Sequence, residues 1–193
     1  MNAITQMVMQ QIAGGASQQI AQRFGISEST ANTAIQLAVP LILSAMARNA
    51  AQPQGAESLH QALNSDHDGS IFNDLSSHLG NPQSANGAGI LGHVFSGQQT
   101  TVESNLAQAA GIDQSSAGGL MEMVAPLVMG AVGQAQQQNG LDASQLSNML
   151  AVQQQQAHAT APDVMGMLGS MLDQNKDGNA MDDLWRVAGN FFK

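Results

Sequence analysis

The chain repeats itself, and that limits its fold more than any other property. Ile20-Ala21-Gln22-Arg23-Phe24-Gly25-Ile26-Ser27 returns 86 positions later as Leu106-Ala107-Gln108-Ala109-Ala110-Gly111-Ile112-Asp113, and eight of the 23 aligned pairs from 20/106 to 42/128 are identical. A second stretch, Leu63 to Leu75, aligns with Leu172 to Leu184 at an offset of 109. The growth in offset puts about 23 extra residues into the second copy, most simply in the Gln-rich stretch 134–157. The pattern reads as a tandem duplication, in which each copy builds the same supersecondary unit. The expected organisation is a first helical repeat over 1–80 and a linker over 81–87. A second helical repeat follows over 88–193, carrying the Gln-rich insertion and a C-terminal acidic loop plus helix.

The repeated unit is helical. Strands favour β-branched and aromatic residues in alternation, whereas aromatics make up 3% of this chain and Ala, Gln, Leu and Met dominate it. Helices are predicted near 2–13, 17–24, 28–50, 56–63 and 70–79, then near 88–95, 99–110, 114–137, 142–156, 162–172 and 179–191. Gly25-Ile26-Ser27 and Gly111-Ile112-Asp113 each combine a helix stop with a helix start. Glycine accepts the left-handed conformation that ends one helix, and Ser27 or Asp113 accepts the first free N–H groups of the next. Downstream, Ala34 to Leu43 and Leu120 to Met129 are apolar around nearly the whole helix circumference, which places both in the middle of a bundle. Pro40 and Pro126 fall at equivalent points in these runs, where each is expected to kink its helix or divide it. The predicted fold class is therefore all-α, a multihelical array built from two helix-turn-helix-like units with central Pro-kinked apolar helices.

Charge removes several function classes. The net charge is −9, and the five basic residues Arg23, Arg48, Lys176, Arg186 and Lys193 are scattered rather than gathered into a stripe. A helix starting at Glu28 presents Ser29, Thr30, Asn32 and Thr33 but no cation before Arg48. Its corner resembles DNA-binding helix-turn-helix scaffolds in outline only, and no nucleic-acid partner is expected. The chain has no cysteine, which excludes disulfides and thiolate chemistry. Residues 1–6 lack a basic region followed by a long apolar run, so a cytoplasmic location is expected. The apolar windows 34–46 and 120–132 are too short to span a bilayer and each is interrupted by proline, so no membrane partner is expected either.

One metal-style signature is present. In Asp173-x-Asn175-x-Asp177-Gly178-Asn179 the oxygens at positions one, three and five converge on a point. Gly178 permits the sharp turn, and Asn179 offers a backbone carbonyl to a hard cation such as Ca²⁺. Position twelve is Leu184, so Asp182 and Asp183 at ten and eleven must close the shell in place of the usual Glu. The competing assignment is a helix cap, with Asn179 at the N-cap and the Asp182-Asp183 pair in the first turn. The first copy carries a weaker set, Asn64, Asp66 and Asp68 around His67, with Ser70 and Asp74 as its own capping pair.

No catalytic constellation accompanies these loops. His60, His67, His78, His93 and His158 form no i, i+4 pair, and no Gly-x-Ser-x-Gly or Walker A sequence occurs. The Gly118-Gly119 doublet reads as helix packing or a turn, and the twelve methionines as deformable core filler that could alternatively include a Cu(I) set at Met165, Met167 and Met171. The chain is expected not to be an enzyme. It reads as a scaffold or interaction protein, possible partners being another protein or a second copy of itself. A second reading puts a small apolar ligand or lipid chain in the groove between the two Pro-containing helices, lined by Leu43, Met46, Met123 and Met129.

A family resemblance supports the helical reading. Gly89-Ile90-Leu91-Gly92-His93-Val94-Phe95 is followed by Leu106-Ala107-Gln108, by Gly111-Ile112-Asp113 and by Val124-Ala125-Pro126-Leu127-Val128-Met129-Gly130. In these residues the sequence resembles the YidB-like bacterial family of unknown function (DUF937). Residues 173–184 look like that family's Asp-rich, Gly-containing loop with its Asp-Asp pair, with Asn175 where Asp is usual. The resemblance covers most of 88–193 and, through the duplication, much of 1–80. It implies a multihelical fold and a bacterial source, and it brings no activity, substrate or catalytic residue.

Overall fold

In a computed structural model the described residues are 3–12, 16–81 and 85–160, and every regular element among them is a helix. In chain order these are α1 (Ala3–Ile12), α2 (Ala16–Phe24), α3 (Glu28–Ala50), α4 (Pro53–Ser65), a 3₁₀ turn (Ser70–Asp74) and α5 (Leu75–Gly80). They are followed by α6 (Gly87–Phe95), α7 (Gln99–Ala110), α8 (Gln114–Asn139) and α9 (Ala143–Thr160). The all-α expectation holds, and α3 and α7 have the predicted bounds. The helices expected at 162–172 and 179–191 lie outside the described residues. One predicted helix is broken in two. The 70–79 segment starts as 3₁₀ because Gly69 enters it at φ +93°. It restarts as α5 because Asp74, at φ −140° and ψ 58°, leaves the helical region and accepts the Ser77 N–H at 3.1 Å.

The two Gly corners are alike in detail. Gly25 and Gly111 adopt φ +64° and +67°, and the next residue's N–H reaches back to the preceding helix at 3.0 Å in both, Ile26 to Ala21 and Ile112 to Ala107. Ser27 Oγ then accepts from Thr30 N at 3.0 Å, and Asp113 Oδ1 from Ser116 N at 2.9 Å. Asp113 takes a further bond from the Ser116 hydroxyl at 2.6 Å. The Ser116 hydroxyl and then its backbone N–H stabilise the carboxylate and hold its pKa below the usual range.

Helices α3 and α8 form the centre. Every residue from Ala38 to Ala47 and from Met123 to Gly133 is buried, so both helices are enclosed on all sides over about three turns. They pack on each other; α3 also meets α1, α2, α4, α6, α7 and α9, and α8 meets α1, α4, α6, α7 and the 3₁₀ turn. The buried apolar residues of all these helices make one connected core. Fully burying each large aliphatic side chain there contributes about 1.5–3 kcal/mol.

Neither proline divides its helix: α3 runs unbroken through Pro40 and α8 through Pro126. Each still lacks the N–H that would serve the carbonyl four residues back, at Gln36 and Glu122. At the second of these, the backbone of Gly87 in α6 lies directly against the Glu122 carbonyl. The Gly118-Gly119 doublet is likewise packing, with Gly119 under the Phe24 ring and Gly118 beside the Glu103 side chain.

The membrane arithmetic differs from the expectation. Taken as whole helices, Glu28–Ala50 and Gln114–Asn139 have 23 and 26 residues, and both are long and apolar enough by length and composition to cross a bilayer. Mostly small and uncharged polar residues flanking each apolar run, with Glu28 and Arg48 the charged exceptions in α3, extend the helix beyond the 13-residue windows. Their apolar windows are 72% and 83% buried within the fold.

Candidate functional site

The central helices leave one side open. A cleft of about 630 Å³ lies between the last turns of α3, helix α4 and helix α6, a size suited to a small-molecule ligand. Met46, Leu59, Ile90, Val94 and Met129 supply apolar lining, and of these Met46 and Met129 are nearly inaccessible from bulk solvent. The groove expected between the two Pro-containing helices is thus displaced towards α4 and α6. Met46 and Met129 line the cleft, whereas Met123 and Leu43 are absent from its lining and packed inside the core.

Backbone-directed bonds hold the walls. Asn49 Nδ2 donates to the carbonyls of His93 at 3.3 Å and Val94 at 3.0 Å, tying the end of α3 to the last turn of α6. The backbone of Gly55 lies against the Asn49 carbonyl, which sets how closely α4 folds back on α3. Ser147 Oγ donates to the Ala50 carbonyl at 2.7 Å, so α9 braces the same end of α3. On the far side of α4, a His60 ring nitrogen meets the Leu141 carbonyl at 3.2 Å, which requires that nitrogen to carry the proton.

Polar side chains sit at fixed places around this apolar floor. Arg48 lines the cleft and is half-buried, and its guanidinium has no hydrogen bond or ion pair among the described residues. Burial pushes its pKa down from the ordinary guanidinium value, but arginine remains charged at neutral pH. His67 also lines the cleft. Burial lowers its pKa against the smaller opposing pull of Asp66 and Asp68, which favours the neutral ring. No Asp or Glu is among the lining residues. Sequence reasoning missed Arg48, Asn49 and His67 as cleft residues. The available signal was one cation closing an otherwise apolar helix.

The acidic loops divide differently. Asp173, Asn175, Asp177, Asn179, Asp182 and Asp183 lie outside the described residues, so the fold does not bear on the C-terminal loop. In the first copy the corresponding groups act as caps and tethers. Asp68 accepts from Ser70 N at 2.9 Å, and bonds from the Ser70 hydroxyl and N–H hold its pKa below the usual range. Asn64 Oδ1 accepts from Gln136 Nε2 at 2.9 Å, and Asp66 ends α4 through its own N–H to the Ala62 carbonyl at 3.0 Å. Among the described residues no three His, Asp or Glu side chains gather where they could hold a metal ion. His78 is buried with one ring nitrogen donating to the Met123 carbonyl at 3.2 Å and Nδ1 unpartnered, an anchor for α5 on α8.

Neither a curated protein nor a solved structure gave a significant match to this chain. A family model described as a bacterial protein of unknown function, DUF937, matches residues 6–135, from α1 through nearly all of α8. These residues contain both Gly corners, all of α3, all but the last turn of α8 and every lining residue of the cleft, and the chain belongs to that family.

Proposed function

We propose that this chain is a non-enzymatic binding protein that holds a small ligand with an apolar chain in the cleft between α3, α4 and α6. The observation that carries the reading is a concave apolar surface of ligand size whose walls are already fixed by Asn49, Gly55 and Ser147. A well-filled core has no such opening. Its check is native mass spectrometry of protein purified from its own host, beside the Ala62→Phe variant, whose ring would occupy the cleft. A retained mass on the wild type that is absent from the variant is expected. A clean apo mass, together with no binding of added dodecanol, would overturn the reading.

The architecture is proposed to be a tandem duplication, α1–α3 answering to α6–α8 with α9 in the Gln-rich insertion of the second copy, supported by the sequence repeat and the matching corner geometry. Backbones of 16–50 and 102–136 that failed to superpose in an experimental structure would count against it. We also propose that Asp173, Asn175, Asp177, Asn179, Asp182 and Asp183 take Ca²⁺. Calcium then raises the melting temperature of the wild type and not of Asp173→Ala plus Asp177→Ala, and equal melting in calcium and in chelator removes the site. The same proposal makes the protein cytoplasmic, free of nucleic acid and membrane, and open to a protein partner or self-association. Recovery in the membrane fraction, or a strict monomer in light scattering at high concentration, argues against the first or the last of these.

A further inference from the structure

The charges around the cleft are unlike those of the rest of the chain. The protein carries 14 acidic and five basic residues, yet the cleft lining contains Arg48, His67 and His93 and no carboxylate. Arg48 is the sharper anomaly. A guanidinium is desolvated at a cost unless a counter-charge meets it, and surplus acids elsewhere in this chain could have supplied one. Among the described residues none does.

Two helix starts add to the same field. The α4 N-cap Gln52 and the α6 N-cap Asn86 make no side-chain cap bond, and both residues line the cleft, as do Gln54 and Gly89 in the first turns that follow. The first N–H groups of a helix without a side-chain cap carry partial positive charge and favour an anion nearby.

Resting on the binding function proposed above, we infer that the cleft's ligand is an anionic amphiphile, its carboxylate or phosphate head paired with Arg48 and its apolar chain lying along Met46, Leu59, Ile90, Val94 and Met129. Both head groups match the planar donor fork of arginine, which can hold two oxygens at once, whereas a neutral or cationic head leaves Arg48 without a partner or repelled. The apolar floor selects against small inorganic anions, which would leave it wet. The inference goes beyond an apolar ligand by fixing the sign of the head group and the residue that reads it.

Isothermal titration calorimetry on the full chain separates the possibilities, with dodecanoate, dodecyl phosphate, dodecanol and dodecyltrimethylammonium each used below its micelle concentration. Wild-type protein is expected to bind at least one of the two anions tenfold or more tightly than dodecanol, a factor in line with one charge-assisted hydrogen-bonding pair. Which anion binds more tightly distinguishes a fatty-acid-like source from a phosphate-bearing one. Arg48→Gln should remove the preference, bringing the affinity for the anions down to that for dodecanol measured on the same variant, and Arg48→Lys should keep part of it because the positive charge remains. Equal binding of anions and dodecanol, preference for the cationic probe, or an anion preference that survives Arg48→Gln would overturn the head-group assignment and leave the apolar site standing. Binding of none of the four probes would remove the cleft function itself.

Discussion

Gly133→Ala is expected to lower the melting temperature by roughly 4–8 °C, a net loss of about 2 kcal/mol. A Cβ built at Gly133 would overlap the His67 carbonyl and stand 3.5 Å from the Asp68 Cα. Both are backbone atoms of the turn after α4, so no side chain can swing aside. The turn is itself fixed, since Gly69 holds φ +93° and Asp68 is bonded to Ser70 N. Forcing a methyl into such a place costs about 3 kcal/mol, the upper end for overpacking. Alanine's better helix propensity returns only about 1 kcal/mol of that. The same substitution at Gly92, where a Cβ in α6 meets nothing within 4 Å, should instead stabilise by up to about 1 kcal/mol. Thermal melts of the two variants therefore move in opposite directions. A Gly133→Ala protein as stable as the wild type would show that the 67–69 turn does not rest on α8.

Most of this helical layout is legible in the sequence because its determinants are local. Glycine at 25 and 111 needs only its own backbone freedom, and Ser27 and Asp113 find their donors three residues away. The central position of α3 and α8 follows from apolar residues on every side, since no other placement removes them all from water. The 70–79 segment failed because Asp74 has two local uses, first-turn acid or N-cap, and its α5 cap bond prevails. Unbroken passage through Pro40 and Pro126 is not local either. It depends on neighbours such as Gly87 enclosing the helix where the intrahelical bond is missing.

The cleft was legible only in part, for the same reason. Met46 and Met129 are visible as apolar residues of the two central helices, but the other lining comes from α4 and α6, whose approach is set by contacts distant in sequence. Asn49 spans 44 and 45 positions to the His93 and Val94 carbonyls, and Ser147 spans 97 to the Ala50 carbonyl. Nothing in the spacing of polar residues announces such pairs. Arg48 is conspicuous by type, yet that its guanidinium has no partner among the described residues is a property of the folded neighbourhood alone.

Truncating the central helices should produce the largest losses of stability, and their form distinguishes one core from two. Ile35 in α3 and Leu127 in α8 are both 0% exposed and belong to one connected apolar cluster. Ile35→Ala and Leu127→Ala each remove buried methyl groups and leave a cavity, at a cost of about 2–5 kcal/mol. For a chain of this size that lowers the melting temperature by roughly 4–20 °C. Because α3 and α8 pack on each other and share α1, α4, α6 and α7 as neighbours, neither can lose its surroundings without exposing the other. Each variant should therefore melt in a single transition shifted as a whole, with calorimetric and van't Hoff enthalpies in agreement. Two resolved transitions, with Ile35→Ala moving one and Leu127→Ala the other, would mean that the repeats fold as separate bodies. In that case the cleft, which takes Met46 from one repeat and Met129 from the other, could not be a fixed site.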